Sequence, residues 1–126
     1  MLGAIAGDII GSVYEHHPIT TKDFPLFSDG STFTDDTVLT IAVADALIND
    51  RDYANSLREL GRKYPNAGYG KSFITWLAVD DHPPYGSWGN GSAMRVSPIG
   101  WVCNSSDNVL AEAERSAVVS LSLIHI

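Results

Sequence analysis

Three short segments hold most of the oxygen chemistry this chain can offer. Phe33-Thr34-Asp35-Asp36-Thr37 sets two adjacent carboxylates between hydroxyls at the start of a strongly helical stretch. One reading is local: Thr34 caps the helix, and Asp35 and Asp36 complement the positive end of its dipole. The other is that hydroxyl and carboxylates form a hard oxygen cluster suited to Mg²⁺. Capping needs one acid, and two adjacent acids with a second threonine exceed that need.

The second segment is Gly86-Ser87-Trp88-Gly89-Asn90-Gly91-Ser92, leading into Ala93-Met94-Arg95. Three glycines let backbone amides converge without Cβ hindrance, and a helix N-terminus behind them would add to an anion-holding cradle. Ser87, Asn90 and Ser92 bring hydrogen bonds, and Trp88 a stacking face. The plain alternative is a flexible connector. The third segment, Gly7-Asp8-Ile9-Ile10-Gly11-Ser12-Val13-Tyr14-Glu15, reads as a tightly packed helix end. By itself it makes Glu15 a solvated surface acid.

The elements that position these segments are helical. Residues 2–13 form an almost wholly apolar helix, in which Gly3, Gly7 and Gly11 make a bare ridge. Each glycine costs roughly 1 kcal/mol in a helix, so the ridge predicts close approach by another helix or a ligand. Asp8 lies on another face. Helices are expected over 35–49, with Val38, Leu39, Ile41, Ala42, Ala46 and Leu47 as a wide stripe, then over 52–63 and 70–79. Residues 80–92 form a Gly/Pro-rich loop of a length that is uncommon unless functional or disordered. A helix interrupted near Pro98 covers 93–103, and a last one, capped by Asp107, covers 107–119. With no strand-like alternation beyond four residues, the fold class is all-α.

Composition narrows the partners. Fifteen acids against eight bases give a net charge of −7, and the scattered bases exclude a nucleic-acid or anionic-lipid surface. An acidic chain that handles phosphate needs metal ions or backbone amides to do so. The single cysteine, Cys103, excludes an internal disulfide; beside Trp101 and Val102 it reads as a core thiol. The apolar start has no basic flank and carries Asp8, so it is neither a signal peptide nor a membrane span. The expected compartment is cytoplasmic.

Taken in order, Gly-Asp-x-x-Gly-Ser-x-Tyr-Glu at 7–15, Phe-Thr-Asp-Asp-Thr at 33–37 and Gly-Ser-Trp-Gly-Asn-Gly-Ser-Ala-Met-Arg at 86–95 resemble the ADP-ribosylglycohydrolase family over nearly all of 1–120. The resemblance implies an all-α fold with two Mg²⁺ ions in a central cleft. It makes Thr34, Asp35 and Asp36 ligands of one ion. Glu15 matches the mobile catalytic glutamate of members acting on serine-linked ADP-ribose. Ser87, Trp88, Gly89, Asn90 and Gly91, followed by Ser92 and Met94, match the stretch that binds diphosphate and ribose. The implied reaction is Mg²⁺-dependent hydrolysis of the bond between ADP-ribose and a protein side chain or small acceptor. The alternatives are a non-catalytic ADP-ribose-binding module and a structural member akin to the lens crystallins of the family.

The same comparison marks a departure. The family's remaining metal ligands lie near its carboxyl end in an Asp-x-Asp-Thr motif, and nothing after Asp36 supplies it. Asp80-Asp81 is misplaced and lacks the threonine. Leu121 to Ile126 replaces an expected histidine-containing segment and resembles the translation of a sequencing-library adapter, the alternative being an ordinary apolar terminus. Residues 1–120 are therefore expected to be the N-terminal portion of such an enzyme, inactive alone, with 121–126 a non-native tail.

Overall fold

A computed structural model describes residues 1–121; of the expected tail only Leu121 falls among them, so that expectation, His125 included, lies outside the described residues. Those residues form seven α-helices and no strand. The middle of the fold is α2, Asp35–Ile48, which buries Val38, Leu39, Ala42, Val43, Ala44 and Ala46 together with Thr37 and Thr40. A helix covered on nearly all sides has little amphipathic contrast, as expected for a central element. Thr34 opens it with extended backbone, its hydroxyl accepting from Asp36 N.

Helix α3, Tyr53–Lys63, is strongly two-faced. Asp52 caps it by accepting from Asn55 N, and Tyr53, Leu57 and Gly61, spaced by four, face inward. Gly61 is bare for a reason: a Cβ there would stand 2.8 Å from Leu77 Cδ2 on α4, Lys71–Ala78. Phe73, Trp76 and Leu77 of α4 complete the core with Tyr69 and Ile99.

The long segment after α4 is tied down by side chains. Arg58 lies over the Trp76 ring, 4.0 Å from its centroid, and both Arg58 Nη2 and Trp76 Nε1 donate to the His82 carbonyl at 3.1 Å. Arg62 donates to Leu77 O and to Asp80. Beyond it come two single-turn helices, α5 (Gly91–Met94) and α6 (Ile99–Val102), separated at Pro98. The helix expected over 93–103 is thus two fragments, and the first begins inside the glycine-rich stretch. Proline has no N–H to donate and sets the backbone of its predecessor, which accounts for the break.

Helix α7, Ser106–Ala117, is capped by Ser105, whose hydroxyl accepts from Asn108 N at 3.2 Å. Asp107 sits in the first turn instead, so the expected cap is corrected by two residues. Tyr53 Oη donates to Glu112 at 2.6 Å and joins α3 to α7. Cys103 is half-buried at the rim of the core, not within it, because Trp101 and Val102 point outward, 80% and 46% exposed.

Helix α1, Leu2–Gly11, continues as a 3-10 turn, Ser12–Tyr14, and buries no residue among those described. Its glycine ridge meets nothing within 4 Å at Gly3, Gly7 or Gly11. The expected close approach of a second helix is therefore not seen among the described residues, and the ridge opens to a cleft.

Two stability outcomes follow. Leu57 is fully buried, and Leu57→Ala should cost about 2–5 kcal/mol in denaturant unfolding. The Tyr53 hydroxyl, with Arg115 assisting, holds the Glu112 carboxyl below its ordinary value of 4.5. A depressed folded-state value means stability present above that ordinary value and lost as pH falls through the folded one. Glu112→Gln should flatten the acid limb of a Tm-against-pH curve.

Candidate functional site

The site begins where α1 meets the start of α2. The half-buried Asp8 carboxylate accepts four hydrogen bonds there. Oδ2 takes Thr34 N at 2.8 Å, Thr37 N at 3.2 Å and Thr37 Oγ1 at 2.5 Å, while Oδ1 takes Thr34 Oγ1 at 2.5 Å. Two of these donors are orphan amides at a helix N-terminus, where a negative charge is also favoured by the dipole. Sequence reasoning gave Asp8 and Thr37 no such role. Their separation of 26 to 29 residues leaves no periodic signal, although Asp8 stands inside a segment that had drawn notice.

The next residue, Asp35, is fixed from the other side. Its amide donates to the Ala67 carbonyl at 2.7 Å. That brings the 64–70 turn over it, with Gly68 at φ +100° and its absent Cβ only 3.8 Å from Asp35 Oδ1. The left-handed backbone there favours glycine. Burial, then Asp36, Glu15 and Asp8, push the Asp35 carboxyl up to about 6, its own backbone hydrogen bond working against them. Asp36 moves up for the same reasons: burial first, then Asp8 and Glu15. Nearby, burial and the Asp35 charge raise the Tyr69 hydroxyl to about 12. That hydroxyl is buried with no hydrogen-bond partner among the described residues.

Glu15 follows the 3-10 turn after α1 and is exposed. It lines the same cleft of about 610 Å³ as Gly7, Asp8, Gly11, Thr34, Asp35 and Asp36. All four residues expected to serve metal and catalysis therefore face one space. Among the described residues no three His, Cys, Asp or Glu side chains are close enough to form a metal cage. Mg²⁺ needs no such cage, since it commonly takes one or two carboxylates and keeps several waters. Two raised, mutually repelling carboxylates beside a hydroxyl suit a hard divalent cation, whose charge would relieve that repulsion.

The glycine-rich loop forms the second wall. Gly86 turns with φ +64°, a conformation that suits glycine. Ser87 N donates to Ser120 O at 2.8 Å, and Gly89 N to Ser87 Oγ at 3.2 Å. Asn90 O accepts from Ala93 N and Met94 N, which closes the turn of α5. The helix expected to aim its dipole at an anion is only four residues long. The first-turn N–H groups of Gly91 and Ser92 have no intrahelical acceptors.

Arg95 anchors the loop from behind. Its Nη2 donates to Ser116 O at 2.7 Å and Ser120 Oγ at 3.0 Å near the end of α7. Burial lowers this guanidinium to about 10, with nearby Tyr85 opposing. It remains a cation at neutral pH. Ser87, Trp88, Gly89, Asn90, Gly91 and Met94 line a cavity of about 630 Å³ with Lys71 and Tyr85, which sequence reasoning had not assigned. Ser92 lines neither cavity. Asp35, Asn90 and Met94 belong to both, so the carboxylate wall and the loop adjoin.

Comparison with known proteins gives a consistent result. The chain is 28% identical to ADP-ribosylhydrolase ARH3 of Xenopus tropicalis, over 95% of this chain and 43% of that protein. It is 30% identical to the Mus musculus protein of that name and 29% identical to the Homo sapiens one, each over 93% of this chain. These alignments cover 41% and 42% of the two mammalian proteins, so the chain spans under half the length of the relatives it matches. The family model described as ADP-ribosylglycohydrolase matches residues 1–122. With that match over nearly the whole chain, the protein belongs to the ADP-ribosylglycohydrolase family.

Proposed function

We propose that the full-length protein hydrolyses the bond between C1″ of ADP-ribose and an acceptor, a protein side chain or a small molecule, in a Mg²⁺-dependent reaction. The observation that carries this reading is the shared boundary of the two cavities at Asp35, Asn90 and Met94. It would place a diphosphate held by the loop next to the carboxylates. Thr34, Asp35 and Asp36 would hold one cation, with a second ion completed by residues beyond this stretch. Bound there, Mg²⁺ supplies positive charge that orients the ribose hydroxyls and polarises the reacting centre.

The chain's own residues account for binding and proton movement. The Ser87 and Gly89 amides are taken by Ser120 O and Ser87 Oγ, so those of Asn90, Gly91 and Ser92 would give the neutral cradle by which a chain of charge −7 takes an anion without a basic patch. Trp88, 88% exposed, offers a flat face to a nucleobase or sugar. In the reaction the bond from C1″ to the acceptor atom breaks and water oxygen bonds to C1″. One water proton ends on the acceptor. Glu15, at the cleft edge, is placed to pass that proton as general base and then acid. The same chemistry makes an ADP-ribosylated protein or an ADP-ribose-containing small molecule the partner class, with no nucleic acid or membrane involved, and a cytoplasmic location suits it.

Asp35→Asn with Asp36→Asn should lower Mg²⁺-dependent ADP-ribose release at least ~100-fold while leaving the helical circular dichroism near wild type, since even outer partners of a metal site cost 10–100-fold. Unchanged release would remove the metal assignment. Wild-type protein that binds ADP-ribose without releasing it would be a binding module, and one that does neither a structural member. Gly86→Ala forces a side chain into left-handed backbone at a cost of about 1–2 kcal/mol. ADP-ribose affinity, read by calorimetry, should fall about tenfold as the loop shifts.

A further inference from the structure

Asp8 lines the cleft yet spends its carboxylate on the start of α2. That makes it neither an ordinary surface acid nor a free ligand. Its four acceptor contacts, at 2.5 to 3.2 Å, go to the amide and hydroxyl of Thr34 and of Thr37. What this does to Thr34 follows from counting. A threonine hydroxyl has one proton and two lone pairs. The proton goes to Asp8 Oδ1, and one lone pair accepts from Asp36 N at 3.3 Å. One lone pair is left, on a residue that lines the cleft beside Asp35 and Asp36.

We propose that Asp8 is a positioning residue for cation binding: by taking the Thr34 hydroxyl proton, it keeps that proton out of the cleft and leaves an oxygen lone pair for the cation. The proposal rests on the metal reading above. An ionised carboxylate does this better than any neutral acceptor, because hydrogen bonds to a charged group are shorter and stronger. An asparagine in its place would turn one of its two arms into a donor facing donors, and the Thr34 rotor would be freed. The same four bonds hold α1, which buries no residue of its own, against the helix that carries the carboxylates.

The test is calorimetric titration of MnCl₂ into full-length wild type, Asp8→Asn, Thr34→Val and the double variant, with Tm measured alongside. Wild type should bind, and each single substitution should weaken binding about 10–100-fold, the range typical of outer partners of metal sites. The double variant should bind no more weakly than Thr34→Val alone, because Asp8 acts through Thr34. Unchanged affinity in Asp8→Asn, whatever its Tm, would overturn the proposal. So would losses that simply add. If wild type itself takes no Mn²⁺, the metal reading fails first and this one with it. Should Asp8→Asn not fold, Asp8→Ser replaces it. Failure of both to fold makes Asp8 a structural residue and overturns the positioning role.

Discussion

Everything at this site depends on how the first turn of α2 is held. Two aspartates leave that turn side by side, and their direction is set by contacts on both flanks. Asp8 grips Thr34 and Thr37 from α1, and the Ala67 carbonyl takes the Asp35 amide from the other side. The grip is polar and not a matter of burial, since α1 hides none of its apolar residues among the described part of the chain. Such a joint is directional. A buried hydrophobic contact tolerates sliding, whereas four hydrogen bonds on one carboxylate fix both distance and rotation.

The second constraint is charge. Glu15, Asp8, Asp35 and Asp36 come together with no arginine or lysine among the described residues lining their cleft. At Asp35 and Asp36 burial already disfavours ionisation, and the neighbouring carboxylates disfavour it further. A fold stabilised only by its own contacts gains nothing from this arrangement. The cation proposed above would relieve that repulsion. Of the two buried arginines among the described residues, Arg58 lies over Trp76 and Arg95 ties the glycine-rich loop to the end of α7 through Ser116 and Ser120. The carboxylate wall and the glycine-rich loop are thus separate parts that meet at Asp35, Asn90 and Met94.

How much of this was readable from sequence depends on the range of the interaction. The central helices were legible because Val38, Leu39, Ala42 and Leu57 repeat at helical spacing and because Thr34 is an ordinary cap. The glycine-rich loop was legible as a loop, though the helix behind it proved to be a single turn broken off before Pro98. The Ser105 cap was missed because Ser105 and Asp107 are equally plausible capping residues two positions apart. Asp8 was missed for a deeper reason. Its partners are 26 to 29 residues away, and nothing in a local window says which face of a short apolar helix will meet another helix's N-terminus. The glycine ridge was noticed correctly as unusual, but it faces a cleft and not a neighbour.

The central claim is that carboxylates and loop form one ADP-ribose site completed by a divalent cation. The most direct measurement is the ADP-ribose dissociation constant of the full-length protein, by calorimetry, in saturating Mg²⁺ and again in EDTA. Two ligands that share a site must change each other's affinity by the same factor. The account predicts at least about tenfold tighter binding with Mg²⁺, a coupling of roughly 1.4 kcal/mol. Equal affinity under both conditions would contradict it, leaving the carboxylate wall and the glycine loop as neighbours that do not work together.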